Sequence, residues 1–450
     1  MNTVLVLGAG MVVRPFLAYL FENTDVHIKV ASLEVSEAIQ KLVQGHDRGE
    51  IIDLNIEDAQ AFNAAVEDPD VALVASFVPP VYHPQVARAC IRGRKSMLMT
   101  SYVSPELRQM DQEARDAGIL IIGETGFDPG IDHMIAMSTI DHIRSQDGEV
   151  TGYASYCGAL PAPEASLNPL GYKFSWHPRG ALSAALRPAQ FLQNGHKVSI
   201  ASQNVFEHYS LKLIQDFGWL ETYPNMDATQ YLDTYTIPEV KSIYRGSLRY
   251  VGWGETMKHC VQLGIMDQEP IPELAKMTMK QLMAHLIGSS DAADMHQAVA
   301  DRLHIDRDSA FIKKLEWLDL FSEFSIPGNL TSAFDVLLHA MQDKMAYGPL
   351  ERDMVILQDE ISFRLPTSQE ELKKVCTLIE YGQPGGDSSI ARTVGLPAAI
   401  GARFMLQGRI SLHGVHIPVQ PEVYEPVLSE LLKEGISFQE QTVPTQGGLR

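Results

Sequence analysis

Through its first 126 residues the chain alternates unbroken apolar runs with amphipathic stretches. Thr3-Val4-Leu5-Val6-Leu7 reads as a strand buried on both faces of a parallel sheet. It ends in Gly8-Ala9-Gly10, and the pattern from 14 to 22 predicts a helix with Pro15 tolerated in its first turn. Further strands are expected at 26–31, 51–54, 71–78, 96–100 and 119–122, the fourth strand being closed by Pro79-Pro80. Helices are expected at 83–92 and from Ser104 to Ala117. This alternation predicts an α/β unit with a doubly wound parallel sheet, whose ligands bind at the carboxyl ends of the strands.

The rhythm breaks after residue 126. Residues 127–255 mix glycine, proline and aromatics with short alternating stretches at 150–156 and 247–251, as in an α+β domain with a mixed sheet. From 256 to 345 the periodicity is helical, notably at 272–277 and 279–286, which predicts an α-helical insertion. Alternation returns at 353–357 and 362–365, followed by an expected helix and a strand at 376–381. A glycine-rich break at 382–386 precedes a helix from about 388 to 407, expected to pack back on the N-terminal sheet. The expected domains are 1–126 completed by that helix, 127–255 with 346–450 for substrate and dimerisation, and the helical 256–345.

Composition narrows the role. A net charge of −20 and a pI near 5.1 disfavour nucleic acid and anionic membrane surfaces as partners. No apolar stretch approaches the ~20 residues of a membrane span. The N-terminus shows no basic leader pattern, so a cytoplasmic location is expected. The 4 cysteines form no C-x-x-C pair and the 15 histidines no H-x-x-x-H, so no metal site is expected.

The glycine turn is the first candidate site, because it lets backbone N–H groups approach a pyrophosphate at a helix N-terminus. Its third fingerprint position is Val13, so the motif is incomplete. The second is Gly123-Glu124-Thr125-Gly126-Phe127-Asp128-Pro129-Gly130-Ile131-Asp132-His133. Asp128 and Asp132 could act as acceptors beside a cofactor, or as an Asx turn and a cap for a helix over 133–143. Thr100-Ser101-Tyr102-Val103-Ser104-Pro105 is the third, with Tyr102 either a donor to a ligand or a half-buried ring above a helix cap. The last is the dense mixture from Tyr153 to Gly180, which reads as an ordered functional loop. Spacing alone makes its Cys157 a small buried residue more often than a nucleophile.

These segments resemble one family, saccharopine reductase, the glutamate-forming saccharopine dehydrogenases of lysine metabolism. The likeness rests on Gly8-Ala9-Gly10 to Arg14-Pro15, Thr100 to Pro105, Gly123 to Asp132, Ser155-Tyr156-Cys157-Gly158 and Leu160 to Ala165. It continues through Asn168-Pro169-Leu170-Gly171-Tyr172-Lys173-Phe174-Ser175-Trp176, Arg245 to Tyr250, Thr393-Val394-Gly395 and Tyr424 to Leu428. The resemblance implies a Rossmann-like domain, a substrate and dimerisation domain, a helical domain and a homodimer. It also implies reversible reduction of the imine formed by glutamate and 2-aminoadipate semialdehyde, with a nicotinamide dinucleotide as hydride donor.

By the same resemblance Asp128, Cys157 and Tyr102 are the catalytic cluster, and Ser101, Tyr102, Asp128, Ser247 and Arg249 contact substrate. Gly8, Gly10, Met11, Val12, Val13 and Ser32 line the cofactor, with Val78, Thr100, Ser101, Phe127 and Trp176 completing that surface. Two positions depart from the family pattern. Met226 stands in Pro224-Asn225-Met226-Asp227 where the family has a substrate-gripping arginine. Losing that contact should cost ~2–3 kcal/mol unless Arg249, Arg245 or Lys173 substitutes. After the second strand, Ala31-Ser32-Leu33-Glu34 lacks the arginine of NADP-using members, which leaves NAD and NADP both open. The alternatives are a related opine or carboxypolyamine dehydrogenase and a non-catalytic dinucleotide-binding protein.

Overall fold

The computed structural model describes residues 2–184, 186–289, 294–367 and 370–445. Its chain forms two compact units: Met1–Tyr153, Tyr231–Val240 and Leu357–Arg450 in the first, Ala154–Gln230 and Lys241–Ile356 in the second.

The first unit opens with β1 (Thr3–Leu7), α1 (Val13–Asn23), β2 (His27–Ala31), α2 (Glu37–Gln44), β3 (Gly49–Ile52), α3 (Ala59–Glu67) and β4 (Val71–Ser76). It continues with α4 (His83–Gly93), β5 (Ser96–Met99), α5 (Pro105–Gln109), α6 (Asp111–Ala117), β6 (Leu120–Ile122) and α7 (Ile131–Arg144). The strands pair in parallel in the order β6-β5-β4-β1-β2-β3, a Rossmann-like sheet whose order reverses between β1 and β4. All of β1 is buried, as its unbroken apolar run requires. Leu5, Val74, Met97 and Ile121 join one core cluster with Val86 and Cys90 of α4.

Beyond α7 come β7 (Glu149–Pro161), α8 (Pro178–Ala184), β8 (Ala189–Gln193), β9 (His196–Ile200), β10 (Ser210–Ile214), β11 (Gly218–Pro224), α9 (Tyr231–Thr234) and β12 (Ser242–Arg249). Then follow α10 (Trp253–Leu263), α11 (Met279–Leu286), α12 (Met295–Leu303), α13 (Ala310–Trp317) and α14 (Ala333–Lys344). In the second unit β10, β11 and β12 form an antiparallel ribbon, with β8 on β12 and β9 on β8. The helical stretch that follows belongs to the same unit, where α10 packs on α12 and α13. The chain closes with β13 (Asp353–Arg364), β14 (Leu372–Tyr381), α15 (Ser389–Leu406), β15 (Gly414–His416), α16 (Pro421–Lys433) and β16 (Gln439–Pro444). β15 adds a parallel strand to the free side of β6, which sequence periodicity does not suggest in so short a segment.

Several expected elements differ. The helix expected from 104 to 117 is two helices, α5 and α6, because Met110 leaves helical geometry at φ −85° and ψ 3°. Ser104 still caps α5, its Oγ accepting the Leu107 N–H at 3.2 Å. The strands expected at 353–357 and 362–365 are one strand, β13, and where a helix was expected the described residues enter β14 at Leu372. The 272–277 helix shrinks to a single turn at Leu274–Lys276, because Glu273 takes the left-handed φ of 61°. Among the described residues no helix is long and apolar enough to cross a membrane, and no cluster of His, Cys, Asp or Glu is arranged to hold a metal.

Helix α15 lies along α1 in the first unit. The Ser388 hydroxyl caps it, accepting the Ala391 N–H at 3.1 Å, and Asp387 just before it pairs with Arg14 at 2.5 Å. A Cβ on Gly395 would lie 2.7 Å from the Val12 carbonyl oxygen and 3.1 Å from the Phe16 nitrogen. The contact is made at the start of α1, so overpacking it disturbs the glycine turn. Gly395→Val is expected to destabilise the protein by ~1–3 kcal/mol in urea unfolding. A dinucleotide titration should show weakened binding in the same variant.

Candidate active site

The carboxyl ends of β1 and β4 meet where the strand order reverses. The Phe77 N–H donates to the Leu7 carbonyl at 2.8 Å, and Gly8 turns the chain at φ +92°. A Cβ on Gly8 would sit 3.1 Å from both the carbonyl carbon and the oxygen of Phe77, so glycine is required on two counts. The Cβ position of Gly10 has no atom within 4 Å, which leaves that backbone facing open space. Helix α1 then starts with no side-chain cap and no acidic residue in its first turn. Its positive dipole end is open to an anion, although the Val13 N–H is spent on the Gly10 carbonyl at 3.2 Å and Pro15 carries no N–H. Together these features fit the pyrophosphate of a dinucleotide.

Val13 is fully buried, and Gly395 of α15 supplies a close backbone approach to this end of α1. Met11 is exposed at the turn, and Val12 is the N-terminal boundary residue of α1. The Ser32 hydroxyl at the end of β2 donates to the Glu34 carbonyl at 2.9 Å. Val78, Thr100 and Ser101 follow the ends of β4 and β5 and are half-buried, whereas Phe127 is buried. Behind β4, Ser76 Oγ lies 3.1 Å from His83 Nδ1. Burial pushes the His83 imidazole down to about 4, so this ring is neutral at physiological pH.

Tyr102 follows β5 and Asp128 follows β6, so the sheet brings the two side chains together at its ligand end. The Tyr102 hydroxyl donates to Asp128 Oδ1 at 3.1 Å, and both residues are half-buried. The Asp128 loop is held by its backbone: Ile131 N–H donates to the Gly126 carbonyl at 2.9 Å, and Asp132 N–H to the Phe127 carbonyl at 3.1 Å. Asp132 is not the N-cap of a helix over 133–143. The helix starts at Ile131 with Gly130 as its boundary, and Asp132 Oδ1 accepts the Gly130 N–H at 2.5 Å. A carboxylate paired with a phenol can hold or pass a proton at one edge of a bound substrate.

Cys157, Trp176, Ser247 and Arg249 belong to the second unit. Cys157 on β7 and Trp176 before α8 are half-buried, and Ser247 lies opposite Tyr223 in the β11–β12 register. Arg249 is buried, and its guanidinium carbon stands 5.0 Å from the Tyr172 ring centre, 5.7 Å from Trp253 and 5.9 Å from Tyr223. One of its N–H groups donates to the Leu248 carbonyl at 2.6 Å, while Nε has no partner. Burial opposes the charge, but ionisable Tyr223, Tyr172 and Cys157 around it favour it, and the net effect raises its pKa further. Glu221 sits directly across the register, yet its carboxylate accepts the Gly252 and Gly254 N–H groups at 2.8 and 2.7 Å. Among the described residues no carboxylate pairs with it, and a buried cation so placed suits an anion.

Of the other cations considered at Met226, Lys173 is committed to Glu351 and Arg245 is buried. Met226 takes a left-handed φ of 56°, and its sulfur lies 3.5 Å from the guanidinium of Arg187, which sequence reasoning did not single out. Also missed was a buried chain in the first unit. Glu124 Oε2 is 2.7 Å from His133 Nε2, and His133 Nδ1 is 2.9 Å from the Tyr235 hydroxyl. The sequence signal was a glutamate and a histidine at the two ends of a glycine-rich loop.

Two family models cover most of the chain: a saccharopine dehydrogenase NADP binding domain over residues 4–122, and a saccharopine dehydrogenase C-terminal domain over 126–436. The mitochondrial alpha-aminoadipic semialdehyde synthase of Rattus norvegicus is 37% identical over 98% of this chain, which spans 48% of that protein. The chain therefore spans about half the length of these mammalian relatives. The NADP(+), L-glutamate-forming saccharopine dehydrogenase of Pyricularia oryzae is 36% identical over 98% of this chain and 99% of its own. An apo saccharopine dehydrogenase (L-Glu forming) structure from Saccharomyces cerevisiae matches with a TM-score of 0.89 at 33% identity, covering 98% of this chain and 100% of that one.

The unpaired guanidinium makes a specific forecast. Replacing a buried, unneutralised charge with a flexible apolar side chain is commonly neutral or stabilising. Arg249→Met should therefore keep or raise the melting temperature of the ligand-free protein. A dicarboxylic amino acid such as glutamate should raise the melting temperature of the unmutated protein and leave that of the variant unmoved.

Proposed function

The chain belongs to the saccharopine dehydrogenase family, and we propose that it is an NADP-dependent oxidoreductase that interconverts saccharopine with glutamate and 2-aminoadipate semialdehyde. The observation that carries this reading is the Tyr102–Asp128 hydrogen bond at the ligand end of a dinucleotide-type sheet. A protein that only sensed a dinucleotide would need neither group. Three fungal relatives matched over nearly their whole length, each an NADP(+), L-glutamate-forming saccharopine dehydrogenase, support the substrate and the coenzyme.

A bound nicotinamide supplies the hydride in one direction and accepts it in the other. In the direction of cleavage, oxidation of the secondary amine leaves a C=N bond, which water then hydrolyses to the amine of glutamate and the aldehyde. Addition of water and collapse of the carbinolamine both need proton transfer. Asp128 is the group proposed to hold that proton, and the Tyr102 hydroxyl fixes which carboxylate oxygen faces the substrate. Arg249 is proposed to receive a substrate carboxylate, an anchor that offsets the missing arginine at Met226. Cys157, beside Arg249, is proposed to complete the polar lining, and Ser101 and Ser247 to contact substrate. Ser32 is proposed to meet the adenosine ribose, where its hydroxyl suits either a phosphate or a free 2′-OH.

Coenzyme reduction with saccharopine, followed by absorbance in parallel assays with NADP and NAD, tests the reading. Turnover with NADP exceeding that with NAD is the expected result. Preference for NAD would overturn the coenzyme assignment, and no turnover with either, despite dinucleotide binding, would move the substrate to another secondary amine. Asp128→Asn should lower kcat by ~10²–10⁴-fold while the coenzyme dissociation constant stays unchanged. A homodimer is also proposed, supported by Leu211, Leu213 and Trp219 exposed on one face of the β10–β11 ribbon. Light scattering should give twice the chain mass, and Leu213→Asp should lower it towards the monomer.

A further inference from the structure

Tyr102 is held by more than its own hydroxyl. The residue before it and the residue after it are both bonded to Glu124. The Glu124 N–H donates to the Ser101 carbonyl at 3.0 Å, and the Val103 N–H donates to Glu124 Oε1 at 2.9 Å. One residue thus brackets the tyrosine with its backbone on one side and its carboxylate on the other. To do so Glu124 adopts φ 59°, a left-handed conformation that glutamate rarely takes. Such a geometry persists only where surrounding contacts over-determine it.

Those contacts are present. Glu124 is 3% exposed, and its second oxygen is bonded to His133, which is fully buried on the first turn of α7. A carboxylate accepts, so His133 Nε2 carries the proton; in the neutral ring Nδ1 then accepts from the Tyr235 hydroxyl. Tyr235 is fully buried as well, and it comes from the 231–240 segment whose flanking residues on both sides belong to the second unit. Arg108 approaches the first Glu124 oxygen at 3.8 Å from the exposed side. The Asp128 loop begins only a few residues beyond Glu124, while the bonds of Glu124 itself hold the loop that carries the phenol.

We propose that Glu124, oriented by His133 and Tyr235, is a positioning residue that sets the distance between Tyr102 and Asp128. The proposal rests on the catalytic reading of that pair. Burying a carboxylate is costly unless its lone pairs are satisfied, and here a backbone N–H and an imidazole N–H satisfy them. Any aliphatic residue would fill the volume at lower electrostatic cost, but it could not hold the Val103 N–H. Displacements of order 1 Å in a reacting group are worth about 100-fold in rate.

The test uses the full-length protein, with hydrogen exchange at the Val103 amide as a readout that needs no substrate. Glu124→Ala should accelerate exchange at Val103, whereas Glu124→Gln, which keeps an acceptor at that point, should retain protection. In turnover, Glu124→Ala should lower kcat about 10- to 100-fold with the coenzyme dissociation constant unchanged, and Glu124→Gln should recover most of it. In a Tyr102→Phe background the same Glu124 change should cost less than about threefold, because the group it positions has gone. Unchanged Val103 exchange in Glu124→Ala, loss of protection in Glu124→Gln, or equal losses of turnover in both backgrounds would overturn the proposal. Should the unmutated protein fail to oxidise saccharopine, the functional reading falls alone, since the exchange measurement still decides the clamp.

Discussion

The ligand end of the first unit depends on backbone brought too close for side chains. Gly8 lies against the carbonyl of Phe77, and Gly395 of α15 lies against the carbonyl of Val12. The first contact joins β1 to the residue after β4 at the point where the strand order reverses. The second presses a helix from late in the chain onto the turn that follows β1. Both approaches are tighter than a side chain at the glycine would allow, and both bear on the turn between β1 and α1. The frame at the start of α1 is filled by backbone and by the fully buried Val13.

Two buried charged groups of the chain are held in opposite ways. Glu124 and His133 are almost fully buried and hydrogen-bonded at both ends, as a group whose work is to hold geometry should be. Arg249 is also buried, yet it is surrounded by aromatic faces and its Nε lacks a partner. The acid across the strand from it is spent on the N-terminus of α10. Folding tolerates such a charge at a stability cost, and a ligand of opposite sign recovers that cost on binding.

The fold of the first unit was largely legible because parallel strands are written as local apolar runs. β1, β4 and β5 announce themselves by composition alone, and the glycine turn names the end at which ligands bind. Elements whose identity depends on a single dihedral were not legible: Met110 splits one expected helix and Glu273 removes another. Nothing in three residues at 414–416 foretells a strand, because the pairing that makes them one comes from β6, far away in sequence.

The candidate site shows the same boundary. By itself the sequence determined which residue types stand at strand ends, and so offered Tyr102 and Asp128, because strand ends are local features of the chain, whereas Cys157 and Arg249 were nominated only through the family resemblance. Only the tertiary structure decided which of them meet and how they are held. Tyr102 reaches Asp128 through the pairing of β5 with β6, and Glu124 meets Tyr235 through His133 across more than a hundred positions. It also decided that Arg249 is left without a carboxylate, because Glu221 could be its partner by register but is turned to the helix beside it. Hydrogen bonds between distant segments depend on orientation as well as proximity, and orientation is fixed only once the whole unit has packed.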